Sequence, residues 1–140
     1  MIKDAQGHDL SGATAEAAAT YDEAVRAFNL VHGDTVGLFD KAREAAPGCA
    51  MAHLGKAWVF ALANDPALLT QARPLVETAR SLGLNEREQA HLAALANLVQ
   101  GARAAAVAVL DRHLLRYPYD LVAHQAAVLM DGFLGRFNWV

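Results

Sequence analysis

The sequence predicts an all-α chain built as a solenoid of helical hairpins, with about seven helices. Three observations point there. Apolar residues recur at helical spacing throughout, and no segment alternates with period two. Helix start and stop residues punctuate the chain at short intervals. An Ala-His pair occurs three times, at Ala52-His53, Ala90-His91 and Ala123-His124, with each histidine six residues after Pro47, Asn85 or Pro118. Such recurrence is the signature of stacked repeats, in which neither helix of a hairpin can bury its apolar stripe alone.

Residues 1–12 are polar, contain Gly7 and Gly12, and read as an N-terminal loop; residues 13–140 read as the repeat domain. The first helix runs from about Thr14 to Val31, with Tyr21, Ala24, Val25 and Phe28 on one face, and Gly33 is its C-cap. Asp34 caps a short second helix carrying Val36, Phe39 and Ala42, which stops before Pro47. Cys49 or Ala50 opens the third, with Met51, Leu54, Trp58 and Ala61 as its stripe. Asp65-Pro66 is a start signal for the fourth, which Gly83 ends. Pro74 lies inside it, so a kink is expected there, or a later start near Gln71. Asn85 and Glu88 spell a capping box for the fifth helix, with Leu92, Leu95 and Val99 inward. After Gly101 the sixth carries Val107, Leu110 and Leu114 and ends before Pro118. Asp120 caps the seventh, with Val122, Ala126, Leu129 and Phe133 inward and Gly135 at its close. Grouped by the Ala-His register, the helices pair one-two, three-four and five-six, leaving the seventh without a mate.

Composition excludes several function classes. Charged residues make up 19% of the chain and the formal net charge is −3, so there is no electrostatic footprint for nucleic acid and no basic patch for an anionic membrane. No apolar signal region and no run of about 18 apolar residues occurs. The lone Cys49 fits a reducing compartment, and a cytoplasmic location is expected.

The pieces Gly7-His8-Asp9-Leu10-Ser11, Pro47 with Met51-Ala52-His53, Glu86-Arg87-Glu88-Gln89 with His91, Tyr117-Pro118-Tyr119-Asp120-Leu121 and Phe133-Leu134-Gly135 follow one another in an order that resembles the N-terminal part of the tetratricopeptide repeat protein 38 family. Pro47 and Pro118 lie 71 residues apart, close to twice the roughly 34-residue tetratricopeptide period. The resemblance implies a tetratricopeptide-like α-α superhelix in a soluble protein, and it carries no catalytic residues across. Two departures are evident. Cys49 stands where an aromatic is usual, and members are much longer, so the chain looks like the N-terminal portion of one.

The candidate chemistry is sparse. Cys49 and His53 share a helical face four residues apart, yet no second pair completes a metal site and no third group orients the histidine. No catalytic residue, metal ligand or cofactor is expected. Asp120 and His124 read as an N-cap beside a histidine. His8, His32 and His113 read as solvated. Asp40-Arg43 and Glu77-Arg80 read as surface ion pairs. The repeated His53, His91 and His124 read first as packing elements that hydrogen-bond across the hairpins. The alternative is an enzyme or small-molecule binder with those three rings in one groove. Lys56, Asn64 and Asn97 fall on the expected inner face, so His53, Lys56, His91, Asn97 and His124 are the candidate ligand contacts. The leading expectation is a scaffold module that binds a protein or peptide through its concave face or open end. Phe133, Phe137, Trp139 and Val140 follow an unmated helix and suggest an interface, including self-association through the C-terminal helix.

Overall fold

The computed structural model describes residues 1–30 and 33–133, with side chains as far as residue 130. Among these residues the chain is all-α. It holds α1 (Ala15–Leu30), α2 (Thr35–Ala45), α3 (Ala50–Ala61), α4 (Pro66–Arg80), α5 (Glu86–Val99), α6 (Arg103–Arg116) and α7 (Leu121–Phe133), and no strand. The expected extension of the first helix to Val31, the reading of His32 and the close of the seventh at Gly135 lie outside the described residues.

The helices begin where the side chains can satisfy free backbone N–H groups. The Thr14 hydroxyl accepts from Ala17 N at 3.1 Å, the Asp34 carboxylate from Gly37 N at 2.9 Å and Asp65 from Ala67 N at 2.9 Å. Each such cap is worth about 1 kcal/mol. The Asn85–Glu88 capping box is complete. Its Glu88 carboxylate is fully buried and spends its other oxygen on the Ser11 N–H at 2.9 Å. Helix α4 takes the start that Asp65-Pro66 signals, and not the later one near Gln71. It starts at Pro66 and runs unbroken through Pro74. Thr70 and Pro74 both face solvent, so water can take the carbonyl that the proline ring leaves unpaired, while buried Ala72, Leu75, Val76 and Ala79 hold the inner face.

Helices α1 and α2, α3 and α4, and α5 and α6 pack as consecutive hairpins; α3 also packs on α2 and α5. Trp58, Tyr21, Phe39, Leu10, Met51, Leu54, Leu95, Leu98, Leu110 and Met130 fill the core and are inaccessible to solvent. Gly55 allows α2 to approach α3, because a methyl group there would overlap the Phe39 ring.

Two features go beyond a simple stack. The polar lead-in 1–12 is threaded into the core. Leu10 is fully buried, Asn85 Nδ2 donates to Asp9 O at 3.1 Å and Ala50 N donates to Ser11 O at 3.2 Å. Gly12 permits this course, since its φ is +74° and a side chain would collide with Gly48 O. Helix α7 in turn packs on both α6 and α1, and Gln125 Nε2 donates to Phe28 O at 3.3 Å. The seventh helix is therefore covered on a second side by the first, although Leu121 and Val128 remain exposed.

Candidate functional site

The most concentrated chemistry lies where the lead-in meets α3, α5, α6 and α7. Arg87, at the second position of α5, reaches Asp120 with two donors: Nε to Oδ2 at 2.9 Å and Nη2 to Oδ1 at 3.2 Å. The Asp120 Oδ2 atom also lies 2.8 Å from His91 Nε2 and 2.8 Å from His113 Nε2. Its Oδ1 caps α7 by accepting from Ala123 N at 3.2 Å. Behind it, Trp58 Nε1 donates to His91 Nδ1 at 2.9 Å. Asp4 from the lead-in lies 3.3 Å from Arg87 Nη2, and its Oδ1 accepts from the backbone of Gln6 and His8. Every member is buried.

Hydrogen-bond logic fixes the protonation. Tryptophan only donates, so His91 Nδ1 must accept, and the ring's single proton sits on Nε2 facing Asp120. Burial pushes the His91 pKa down, against the pull of Asp120. Burial alone would raise the Asp120 carboxyl, yet the His91, His113 and Arg87 groups around it hold it well below the usual carboxylate range. Burial likewise drives the Tyr21 hydroxyl well up, with Arg87 opposing.

His91, His113 and Asp120 are metal-ligand types, and their nearest atoms lie within 4.8 Å of one another. The surroundings fit an ion cluster better than a cation site. A metal on His91 Nε2 would require its proton to move to Nδ1, straight against the Trp58 N–H. The Arg87 guanidinium beside the same carboxylate would also repel a cation. Nor can a substrate reach the cluster, since His91 and Asp120 are 0% exposed. It is a latch that ties five segments of the chain together.

The anticipated site residues are scattered around this latch. His53 is buried, accepts from Arg43 Nε at 3.0 Å and places Nε2 2.7 Å from Pro47 O. His124 is exposed and places Nε2 2.6 Å from Pro118 O. These two histidines thus make the same bond to the proline six residues before. His91 differs because α5 begins at Glu86, which puts His91 sixth in its helix where His53 and His124 are fourth. The three rings line no common cavity among the described residues. Lys56 is 2.8 Å from Asp40, which also pairs with Arg43 at 2.7 Å. Asn97 Nδ2 donates to its own helix at Ala93 O, and Asn64 sits exposed in a turn with φ 56°. Cys49 is buried, which raises its thiol pKa.

Two readings need correction. His113 is buried at 6% exposure, because the last turn of α6 tucks beneath Tyr117, whose ring stacks on it at 4.9 Å. His8 is half-buried, 3.5 Å from Asp4. Asp120 does cap α7 beside His124, and its carboxylate also turns inward to α5 and α6. Arg87, Asp4 and Trp58 went unnoticed as site residues. The one available signal was Arg87, a charge inside a capping box followed by an inward-facing run. The interface residues Phe137, Trp139 and Val140, and the side chain of Phe133, lie outside what the structure describes.

The open surface offers a different site. An apolar cleft of about 330 Å³ lies between α1, α3 and α7, lined by Phe28, Thr35, Val59, Leu62, Gln125 and Leu129. Leu30, two residues beyond Phe28, is 72% exposed, and Val128, beside Leu129, is 51% exposed. Among the described residues no helix is long and apolar enough to cross a membrane. No protein-family model, curated protein or solved structure matches this chain.

Proposed function

We propose that this chain is a tetratricopeptide-like helical module, akin to the N-terminal part of the tetratricopeptide repeat protein 38 family, that binds a protein or peptide partner. The cleft between α1, α3 and α7 is its docking site. The single observation that carries this reading is an apolar concavity with solvent-exposed Leu30 and Val128 beside it, while the densest polar cluster of the chain is sealed in a closed latch. A cleft of this size takes one or two bulky side chains of a partner, in the way helix-in-groove recognition uses apolar anchors. The consecutive hairpin pairing, together with the matching His53–Pro47 and His124–Pro118 bonds, supports the repeat architecture.

The test is site-specific cross-linking in the native host. A photo-reactive residue at Val128 or Leu30 should trap a discrete partner, and the same residue at Glu77, on the exposed face of α4, should not. Leu129→Lys combined with the Val128 probe should abolish the adduct. Equal trapping at Val128 and Glu77, or none at Val128, would overturn the reading.

A further inference from the structure

We infer that the groove holding residues 9–11, between the start of α3 and the N-terminus of α5, is a peptide-recognition site, which the lead-in fills as a tethered ligand. The class of ligand is an extended segment with a leucine-sized anchor and a carboxylate six residues before it, as Asp4 stands to Leu10. The site lies apart from the α1–α3–α7 cleft, and none of its residues lines that cleft. Three bonds grip the main chain of Asp9-Leu10-Ser11. Asn85 Nδ2 donates to Asp9 O at 3.1 Å. Glu88 Oε2 accepts from Ser11 N at 2.9 Å, and Ala50 N donates to Ser11 O at 3.2 Å. None of the three reads a side chain. Leu10, between them, is fully buried, so an apolar seat selects the sequence. Main-chain bonds that give affinity and a side-chain seat that gives specificity are the working parts of a peptide site.

The helices build this groove without help from the occupant. Glu88 Oε1 accepts from Asn85 N at 3.0 Å, and Asn85 Oδ1 accepts from Glu88 N at 2.9 Å. The capping box thus holds both side chains and leaves Oε2 and Nδ2 for the segment that enters. Arg87, in the same turn, is held by Asp120 and meets Asp4 at 3.3 Å. Here the fit of the lead-in is incomplete. Asp4 Oδ2 and Arg87 Nη1 are both buried, and neither has a hydrogen-bond partner. Buried polar groups are almost always satisfied, so the lead-in leaves part of the site unused. The lead-in is also a closed loop in itself, with Leu10 N on Ile2 O and Asp4 N on His8 O, each at 2.9 Å. It joins the helices through Gly12, whose φ is +74°.

The experiment is fluorescence anisotropy of a labelled peptide with the sequence of residues 2–12. It is added to the whole chain and to two full-length variants that open the site by different routes. Leu10→Ala empties the seat from within. Gly12→Ala spares the seat and forces the lead-in off its course, because a side chain there collides with Gly48 O. The unaltered chain should bind the peptide at least roughly 10-fold more weakly than either variant, since its own tethered segment competes at high effective concentration. Peptides carrying Leu10→Ala or Asp4→Asn should each bind the opened variants at least roughly 10-fold more weakly than the unaltered peptide. Equal binding to the chain and its variants would place the peptide elsewhere and overturn the inference. Equal binding by either altered peptide would overturn the ligand class. No binding by a variant that keeps its helical circular dichroism would overturn the site. If both variants lose that signal and the peptide does not restore it, the lead-in is a part of the core and not a ligand.

Discussion

Replacing Asp120 by alanine tests the latch most directly. The carboxylate accepts from Arg87 through two atoms, from His91, from His113 and from the Ala123 backbone. Its loss leaves the Arg87 guanidinium at 3% exposure with Asp4 as its remaining acidic neighbour, at 3.3 Å. Removing one partner of a buried charge pair costs about 3–5 kcal/mol, and losing the α7 cap adds about 1 kcal/mol. The two stranded imidazole donors overlap with the first figure and are not added separately. The expected total is about 5 kcal/mol, a large share of the roughly 5–15 kcal/mol that holds a domain together. In urea denaturation followed at 222 nm, with a slope of about 2 kcal/mol/M, that is a midpoint shift of about 2.5 M. Asp120→Asn keeps the cap and an acceptor for Arg87, and should lose about half as much. The control is Asp40→Ala, which breaks a pair whose aspartate is 35% exposed; its cost should stay under about 1 kcal/mol. If Asp120→Ala costs no more than Asp40→Ala, the latch is not what joins the segments.

Three further outcomes are expected. Burial depresses the folded-state pKa of both His91 and His53, so below the unfolded value of about 6.5 the unfolded chain binds protons that the folded chain refuses. Stability should be flat above pH 7 and fall between pH 6.5 and 5 by up to about 1.4 kcal/mol per pH unit for each histidine. His91→Gln should flatten that slope, and an unchanged slope in His53→Gln with His91→Gln would contradict the assignment. Cys49, buried with a raised thiol pKa, should react with a thiol reagent only at the rate of opening, so labelling that is fast in native buffer and insensitive to urea would refute its burial. Gly55→Ala should destabilise the fold by about 1–3 kcal/mol through overpacking against Phe39, and Phe39→Leu in the same chain should recover part of the loss.

The local rules of the chain were legible because their causes are local. Caps at Asp34, Asp65 and Asn85 act within three residues, and helical spacing of apolar residues needs only one helix, so the seven elements and their hairpin pairing could be read directly. Pro74 left the start of α4 open between Pro66 and Gln71, because its cost depends on which way the freed carbonyl faces, a matter of packing around α4. The latch was hidden for a different reason. Arg87, Asp120, His113 and Trp58 come from four helices, and each residue alone reads as surface or core. Only the contact of α5 with the start of α7 turns an N-cap aspartate into the acceptor of a buried ion cluster. The lead-in shows the same effect, since nothing in its polar composition announces that Asp4 and Leu10 are buried.

The latch and the cleft share helix α7, and this links the closed chemistry to the open surface. Asp120 fixes the start of α7 against α5 and α6. One turn and more along the same helix, Gln125 bonds to the end of α1, and Leu129 forms a wall of the cleft. The shape of the cleft therefore depends on how α7 is aimed, and its aim is set at two points: by a buried guanidinium–carboxylate pair at its start and by an amide bond from Gln125 to Phe28 one turn on. A charge pair at 3% exposure or less resists rearrangement because breaking it strands a charge in the core. The amide bond is longer and weaker, and beyond it buried Ala126 and Met130 hold α7 in the core.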